Sequence, residues 1–410
     1  MRFFFLLAFL LAIDIYAFQA FRTLAQHWSA TARTILYSLF WMVPLLTLFY
    51  VLASNIGWTA EWGKTTKTFL QTFLFIFYLS KFLIIPLLLV DDVRRLATMA
   101  YHGLSGEQPF DPSRSRFITQ MGIFLAAIPF LSLTYGVLRN AYRYRVFQKT
   151  LHLDDLPEAL DGLRIVQISD IHSGSFTFVD PVRNAIDLIN AQQPDLVFFT
   201  GDLVNSRADE MDPFLDVFDK IEAKHGVYSV LGNHDYGDYH PWDSQEAKAA
   251  NFQKLKDTHR RLGWDLLMNE HRQVEINGER VAVIGVENYS AHHRFPKYGD
   301  LHSAYQGAEQ AGLKLLLSHD PTHWREQVVS EFKDIALTFS GHTHGMQFGV
   351  EVPGWFKWSP IKYVYKDWAG LYQDGRQHLY VNRGLGFLGY PGRVGILPEI
   401  TVMELRRREA

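Results

Sequence analysis

The sequence predicts a four-helix membrane region followed by an α/β domain, in which two facing sheets are flanked by helices in α-β-β-α layers. The chain has 410 residues, enough for two or more domains. Its first third contains four long apolar segments, and the rest contains short apolar strands alternating with helical stretches, as βαβ units do. We place the domain division after Arg145, giving a membrane domain over 1–145 and an α/β domain over 146–410.

Composition excludes several classes of function. The net charge is −3, so no overall basic field attracts nucleic acid, and no nucleic-acid partner is expected. Cysteine is absent, which excludes disulfides, thiolate metal sites and a cysteine nucleophile. No protein partner can be inferred from the sequence.

The four apolar segments predict transmembrane helices. They cover 3–21, 34–53, 68–90 and 117–138, each close to the ~20 residues that cross a bilayer core. A cleaved signal peptide is the alternative for the first, but it lacks a small-residue cleavage site and three more spans follow. We therefore expect a multi-pass protein of an inner or plasma membrane. Basic residues are nearly balanced between the two sides, and the Arg-rich exit from the fourth segment favours a cytoplasmic C-terminal domain.

Two charged residues, Asp14 and Lys81, lie inside the first and third segments. At ~1.5 Å per residue, both lie about 17–20 Å from the start of segments that run in the same direction. Because an isolated charge at this depth is costly, we predict that the two side chains form a pair. In the alternative, Lys81 extends toward an interface and Asp14 is neutral or faces water.

The α/β domain begins after the last of the four apolar segments. Predicted strands cover 163–169, 195–200, 227–231, 313–318, 335–340, 378–382 and 400–405, with helices near 181–191 and 213–223. A hairpin over 273–286 turns at Asn277-Gly278.

Polar residues follow five of these strands, where sites form in α/β sheets. The candidate metal ligands among them are Asp170, His172, Asp202, Asn233, His319, His342 and His344. Any one of them alone would be read as a turn former or helix cap, and only the whole set indicates a site. Carboxylate, imidazole and amide oxygen without thiolate suit Mn, Zn, Fe or Mg, and one carboxylate can bridge two ions. A hydroxide shared by two ions is a strong nucleophile toward phosphorus.

The quoted residues also carry a family resemblance. Asp170-x-His172, Gly201-Asp202, Gly232-Asn233-His234-Asp235, His319 and Gly341-His342-Thr343-His344 resemble the motifs of calcineurin-like metallophosphoesterases. The ending Pro398-Glu399-Ile400-Thr401 and the multi-span N-terminus resemble the branch called transmembrane proteins with a metallophosphoesterase domain.

The resemblance implies the metallophosphoesterase fold and two divalent ions, with Mn favoured. It implies that the first ion is held by Asp170, His172, Asp202 and His344, and the second by Asp202, Asn233, His319 and His342. His234 would contact the substrate phosphate and protonate or stabilise the leaving oxygen, with Asp235 as its orienting partner.

We expect a membrane-anchored hydrolase that cleaves a phosphodiester or pyrophosphate with a metal-bridged hydroxide. A lipid-linked substrate is one candidate, such as UDP-2,3-diacylglucosamine in lipid A synthesis. The alternatives are a phosphomonoesterase or nucleotide phosphodiesterase acting on soluble substrates, a non-catalytic membrane receptor, and a transporter. Candidate substrate contacts are Arg383, His293 and Arg294, and loop residues that could cap the site are Tyr239, Trp242 and His292.

Overall fold

The chain forms two compact units, Met1–Tyr135 and Gly136–Ala410. The computed structural model describes residues 2–105, 112–352 and 354–408. The domain division after Arg145 stays a prediction.

The first unit is helical. Its helices are α1 (Arg2–Leu24), α2 (Ala30–Asn55), α3 (Lys64–Ser105) and α4 (Pro112–Tyr135). The boundary of α2 follows from Ser29, whose hydroxyl accepts the backbone N–H of Ala32 as an N-cap. Each helix contains a stretch long and apolar enough to cross a membrane, which confirms the four predicted spans.

Helix α3 is longer than its apolar segment, which ends at residue 90. It has 42 residues, or about 63 Å at ~1.5 Å per residue, roughly twice a bilayer core. The extension contains charged residues, and Asp91 pairs with Arg94 one turn later at 2.9 Å. Asp92 and Arg95 repeat this spacing at 3.6 Å. Such i,i+3 pairs stabilise a helix, so the charged residues interrupt the apolar run without ending the helix.

The charges of Asp14 and Lys81 meet in a buried ion pair, as predicted. Asp14 is 2 % exposed and Lys81 is 3 % exposed. The Tyr78 hydroxyl donates to the second Asp14 oxygen at 3.0 Å, and the Lys81 ammonium lies 3.9 Å from the ring centre of Phe77. Both charged groups therefore have partners within the bundle, and the alternative of a Lys81 side chain extended to an interface is wrong.

Breaking this pair should destabilise the helical unit. Asp14→Asn or Lys81→Met alone should lower the free energy of unfolding by about 3–5 kcal/mol, because each leaves one buried charge without its partner. The double variant should recover much of that loss, since no charge remains. Thermal unfolding of the detergent-purified protein measures all three.

Arg183→Met is the matched control, because it breaks an exposed ion pair with Asp180 and should change stability little. If the two single losses in the helical unit simply add, the residues are uncoupled and the pairing is wrong.

The second unit contains two six-stranded sheets. The first has the order β1-β14-β2-β3-β4-β5, with β1 (Arg145–Leu153), β2 (Arg164–Ile168), β3 (Leu196–Phe199), β4 (Val227–Ser229), β5 (Asp265–Leu266) and β14 (Glu399–Arg407). The second has the order β12-β13-β9-β8-β7-β6, with β6 (Glu270–Ile276), β7 (Glu279–Gly285), β8 (Leu313–Leu317), β9 (Leu337–Ser340), β12 (Gly370–Asp374) and β13 (Gln377–Val381). A separate hairpin pairs β10 (Val350–Val352) with β11 (Phe356–Trp358).

The two sheets share a core. Fully buried side chains such as Ile165 and Phe198 of the first sheet pack in one cluster with Leu315 and Phe339 of the second. The outer face of the first sheet is covered by α5 (Asp180–Asn190), α6 (Leu215–Phe218) and α7 (Gln245–Arg261), and that of the second by α8 (Leu301–Tyr305) and α9 (Val329–Glu331). These are the predicted α-β-β-α layers. In both sheets the parallel strands direct their carboxyl ends to one edge.

The α-helix within the predicted range 213–223 is shorter than predicted. A 3-10 helix, Ala208–Phe214, leads into the single turn of α6. The Asn190 side chain accepts the backbone N–H of Glu222 at 3.0 Å and donates to the carbonyl of Lys220 at 2.7 Å. These bonds take backbone groups that a continuing helix would use, so the helix ends early.

Candidate metal centre

Five strand ends bring the seven predicted ligands to one edge of the sheets. Asp170 and His172 follow β2, Asp202 follows β3, Asn233 follows β4, His319 follows β8, and His342 and His344 follow β9. Six of them form two donor sets, one of Asp170, His172 and His344 and one of Asp202, His319 and His342. Within each set the donor atoms lie within 4.8 Å of one another.

The donor atoms of each set are closely spaced. In the first set, His344 Nε2 lies 3.0 Å from His172 Nε2 and 3.2 Å from Asp170 Oδ1. In the second, His319 Nε2 lies 3.2 Å from His342 Nδ1 and 3.2 Å from Asp202 Oδ2. Ring nitrogens this close repel each other unless a proton or cation lies between them. Each set therefore suits a bound cation.

Asp202 lies at the boundary between the two sets. Its Oδ2 is 3.2 Å from His319 Nε2 in one set and 3.6 Å from His172 Nε2 in the other. Its Oδ1 accepts the backbone N–H of His234 at 2.8 Å, which fixes the carboxylate orientation. A single carboxylate oxygen therefore faces both sets.

Buried polar atoms without a hydrogen-bond partner indicate whether the residues fit a metal ion. Asn233 Oδ1 is buried without a hydrogen-bond partner, while its Nδ2 donates to the Tyr239 hydroxyl at 2.9 Å. A buried carbonyl oxygen without a partner is costly, and a divalent cation would satisfy it. Asn233 thus fits a metal-ligand role, although its side chain belongs to neither carboxylate–imidazole set.

Hydrogen bonds outside the donor sets orient the imidazoles. His319 Nδ1 donates a hydrogen bond to the carbonyl of Thr200 at 2.7 Å. The other ring nitrogen, Nε2, is therefore the one that faces the site as a ligand atom. His342 Nε2 contacts the Tyr365 hydroxyl at 2.7 Å, and His172 Nδ1 contacts Asn205 Oδ1 at 3.1 Å. In these three rings one nitrogen is held and the other is directed at its set, whereas His344 Nδ1 is buried without a hydrogen-bond partner.

Burial and neighbouring charges set the protonation of these groups. Burial lowers the pKa of His172 to about 3, so the ring is neutral and has a lone pair for a metal. Burial also disfavours the charged form of His319, but the Asp202 and Asp170 carboxylates outweigh it and raise the pKa of His319 to about 10. A cation would replace the proton that these carboxylates attract.

The backbone is left-handed at five ligand positions. The φ angles are 50° at Asp170, 46° at His172, 61° at Asp202, 72° at His342 and 51° at His344. Residues other than glycine rarely adopt this conformation, and such strain concentrates at functional sites. Only one residue separates His342 from His344, and the sharp turn after β9 directs them to different sets. His342 belongs to the second set and His344 to the first.

Two glycines allow the loops to approach one another. A Cβ at Gly341 would lie 2.3 Å from Asp170 Oδ2, and a Cβ at Gly232 would lie 2.2 Å from Asp202 Oδ1. No side chain fits at either position without displacing a ligand carboxylate. The glycine that ends β9 is therefore needed because His342 and Asp170 must meet, and the His342 N–H donates to both Asp170 oxygens at 3.0 Å.

His234 lies beside the donor sets without belonging to either. Its ring centre is 4.9 Å from that of His172 and 4.4 Å from that of Tyr239. Its Nδ1 is 2.7 Å from the carbonyl of Asn205, which can only accept, so Nδ1 carries the proton. Nε2 is then the nitrogen that can exchange a proton with a bound molecule.

The structure corrects the role of Asp235. Its carboxylate accepts four backbone N–H groups, those of Asp202, Leu203, Val204 and Gly232, and does not contact His234. Burial and the Asp202 charge raise the pKa of Asp235 to about 7. Asp235 joins the loops after β3 and β4, and the orienting partner of His234 is the Asn205 carbonyl.

Asp235→Asn should therefore destabilise the domain. The amide would place an N–H group against backbone N–H donors, and an unsatisfied buried group of this kind costs about 1–3 kcal/mol. Chemical denaturation of the variant would measure the loss. Unchanged stability, with a loss of rate only, would restore the predicted role as a partner of His234.

The structure also corrects the role predicted for Arg383. This side chain is 3 % exposed and pairs with the carboxylates of Glu399 and Glu351, the latter at 2.6 Å. Its guanidinium lies over the ring of Phe147 at 4.7 Å. Because both ends of the guanidinium are paired, Arg383 joins β14 to β10 and is not available to a substrate phosphate.

The loop after β7 supplies the other predicted contacts. His293 and Arg294 are exposed. Phe295 packs edge-on against His342 at 4.7 Å, and His292 packs against Tyr365 at 4.9 Å. The loop therefore borders the second donor set, and substrate binding by His293 and Arg294 stays a prediction.

Two further residues at the site have no sequence signal. Asn205 orients both His172 and His234, and Tyr365 contacts His342 from 23 residues away. Asn205 occupies a loop position where asparagine is ordinary, and Tyr365 lies in a mixed stretch that carries no recognisable motif. Only the three-dimensional contacts single them out.

The fold and the donor sets together define a membrane-associated metallophosphoesterase. Residues 1–141 match the family model described as "Probable Calcineurin-like phosphoesterase, transmembrane domain". Residues 163–346 match the model described as "Calcineurin-like phosphoesterase". Over these two ranges the chain is similar to the calcineurin-like phosphoesterases, a family of metal-dependent phosphoester hydrolases, and to their four-helix membrane domain.

Curated relatives agree with this placement. "Transmembrane protein with metallophosphoesterase domain" of Danio rerio is 29 % identical over 282 residues, which cover 67 % of this chain and 60 % of the relative. "Uncharacterized metallophosphoesterase YkuE" of Bacillus subtilis is 27 % identical over 277 residues, 66 % of this chain and 90 % of the relative. "Uncharacterized metallophosphoesterase YkoQ" of the same organism is 28 % identical over 292 residues, 68 % of this chain and 97 % of the relative. The match thus spans less than two thirds of the zebrafish protein.

Proposed function

We propose that this protein is a membrane-anchored hydrolase that cleaves a phosphodiester or pyrophosphate with two divalent metal ions. The observation that carries the proposal is the position of Asp202 Oδ2, which faces both donor sets. One ion would be held by Asp170, His172, Asp202 and His344. The other would be held by Asp202, Asn233, His319 and His342. Carboxylate, imidazole and amide donors favour Mn, with Zn, Fe and Mg as alternatives.

Bound ions would supply Lewis acidity at the phosphoryl oxygens and make water a competent nucleophile at neutral pH. The residues of the chain then position the substrate and move the proton. His234 holds one proton on Nδ1 against the Asn205 carbonyl, so Nε2 is oriented for transfer. A second proton, carried on Nε2, would pass to the leaving oxygen as its bond to phosphorus breaks, and the proton released by the attacking water would then restore it.

The substrate class we favour is lipid-linked. Four spans hold the domain at a membrane, where lipid headgroups reach a high effective concentration. UDP-2,3-diacylglucosamine is one candidate of this class. We propose the cytoplasmic side for the domain on the basis of the Arg-rich exit from the fourth span.

Metal removal tests the core of the proposal. The detergent-solubilised protein should hydrolyse bis-p-nitrophenyl phosphate, lose this activity in EDTA and regain it with Mn²⁺. A panel with p-nitrophenyl phosphate, nucleotide diesters and lipid phosphoesters then identifies the substrate class. Full activity in EDTA would exclude a metal-dependent mechanism, and a preference for soluble nucleotides would exclude the lipid-linked class.

A further inference from the structure

The hairpin of β10 and β11 carries an exposed apolar surface outside the metal centre. We define the hairpin patch as Val350, Val352, Trp355, Phe356, Tyr363 and Val364. Trp355 is 85 % exposed and Tyr363 is 75 % exposed. An isolated two-stranded hairpin is marginally stable in water, and clustered exposed apolar side chains mark interaction sites. The patch is therefore a candidate interaction surface.

Charges around the hairpin patch favour an anionic partner. Lys362 and Lys366 are exposed, and no carboxylate forms an ion pair with either within the part of the chain that the structure describes. The neighbouring acidic groups are already paired, Glu351 with Arg383 at 2.6 Å and Asp367 with Arg325 at 2.9 Å. Exposed aromatic and aliphatic side chains beside lysines are typical of surfaces that lie in the interface of an acidic bilayer.

The base of the hairpin is tied to the point where the chain leaves the fourth helix. The Gly349 N–H donates to the carbonyl of Val394 at 2.9 Å, and the Arg393 N–H donates to the carbonyl of Gly136 at 3.2 Å. Gly136 directly follows Tyr135, the last residue of α4. Since α4 belongs to a candidate membrane span, a bilayer surface lies close to this loop however the two units are arranged.

The hairpin patch is also linked to the metal centre. Tyr365, whose hydroxyl lies 2.7 Å from His342 Nε2, directly follows Val364 of the patch. Ser359, at the end of β11, donates to the carbonyl of Gly345 at 2.8 Å, next to His344. Any surface that binds the hairpin patch would therefore also affect the position of the residues that border the metal centre.

We propose that the hairpin patch contacts an acidic lipid bilayer, with Trp355 and Phe356 in the interfacial layer and Lys362 and Lys366 at the headgroups. This contact holds the mouth of the metal centre at headgroup level. The consequence for substrate rests on the proposed function: a lipid phosphoester would enter the site without leaving the membrane.

Site-specific labelling tests the contact independently of activity. Because the chain has no cysteine, Trp355→Cys provides a unique attachment point for the fluorophore NBD in the full-length protein. Arg376→Cys is the matched control, since this 74 % exposed side chain lies at the β12–β13 turn, at the opposite ends of the strands from the metal centre. The proteins are placed in phosphatidylcholine nanodiscs with or without phosphatidylglycerol, and with doxyl-labelled lipid as quencher.

The label at position 355 should show blue-shifted emission and quenching by doxyl lipid, both strengthened by phosphatidylglycerol, and the label at 376 should show neither. Equal quenching at both positions, or none at 355, overturns the proposal. A blue shift at 355 without lipid quenching also overturns it, because a protein surface or a second copy of the chain then covers the patch.

A second arm tests the consequence for substrate. Trp355→Ser/Phe356→Ser should lower kcat/KM for a lipid phosphoester in nanodiscs about tenfold or more, since docking raises local concentration. Hydrolysis of bis-p-nitrophenyl phosphate should stay unchanged. Equal losses on both substrates would refute the docking role, whereas an inactive wild type would refute only the proposed function and leave the labelling result valid.

Discussion

Asp202→Ala should remove both metal ions from the protein and lower hydrolysis by more than about 10³-fold, since each ion supplies several kcal/mol of transition-state stabilisation. The physical reason is that Asp202 Oδ2 lies 3.2 Å from His319 Nε2 and 3.6 Å from His172 Nε2. Removing it leaves the second set without a carboxylate and takes from the first set, which keeps Asp170, the oxygen that faces both. Metal content of the purified variant, determined by mass spectrometry, measures the first effect.

Asp209→Ala is the matched control for this experiment. Asp209 lies seven residues further along the same connection, with a 40 % exposed side chain paired to Arg207. It should keep both ions and full activity. If Asp202→Ala retained one ion per chain, the two sets would be independent sites and the shared carboxylate would be refuted.

His234→Gln should keep both ions and lose about 10²–10⁴-fold in kcat, the range expected for a positioned proton donor. His234 contributes no atom to either donor set, and its Nδ1 is held by the Asn205 carbonyl. The loss should be small for a p-nitrophenyl ester, whose leaving group needs no proton, and large for an alkyl ester. Rates on the two esters, beside metal content, measure the effect.

His240→Gln is the control from the same loop, where the ring packs on Trp242 and should affect neither metal nor rate. A His234→Gln protein that lost its metal as completely as Asp202→Ala would show that His234 is a ligand. Equal losses on both esters would show that it does not protonate the leaving group.

The parts of the structure that sequence predicts well are those with a dominant local cause. Apolar length alone identifies the four spans. The turn at Asn277-Gly278 forms as predicted, with φ of 53° and 85°, because few residue pairs adopt this conformation. The seven ligands are brought to one edge because parallel strands end there. Asp14 and Lys81 meet because equal depth in parallel spans leaves each without a better partner.

The elements and residue roles that the sequence does not predict depend on contacts between segments far apart in the chain. Strand β1 has mostly exposed or half-buried residues and is fixed by parallel pairing with β14, more than 240 residues later. Helix α7 has few apolar residues and is identified only by the Ser244 cap and its buried Leu255. The contacts of Asp235 and Arg383 differ from those predicted because three of the four N–H groups lie in the loop after β3 and the two glutamates lie in β14 and β10, all distant in sequence.

The buried pair of Asp14 and Lys81 also has a consequence for biogenesis. The ribosome makes α1 first, and the partner of Asp14 follows 67 residues later. At ~5–20 residues per second, the nascent first span carries an unpaired carboxylate for roughly 3–13 s. Such a group costs about 2.5–3.5 kcal/mol at the centre of a bilayer, so α1 is held in lipid less firmly until Lys81 arrives. Synthesis of the third span therefore supplies the partner that removes this cost, so the stability of the first span in the membrane depends on a helix made later.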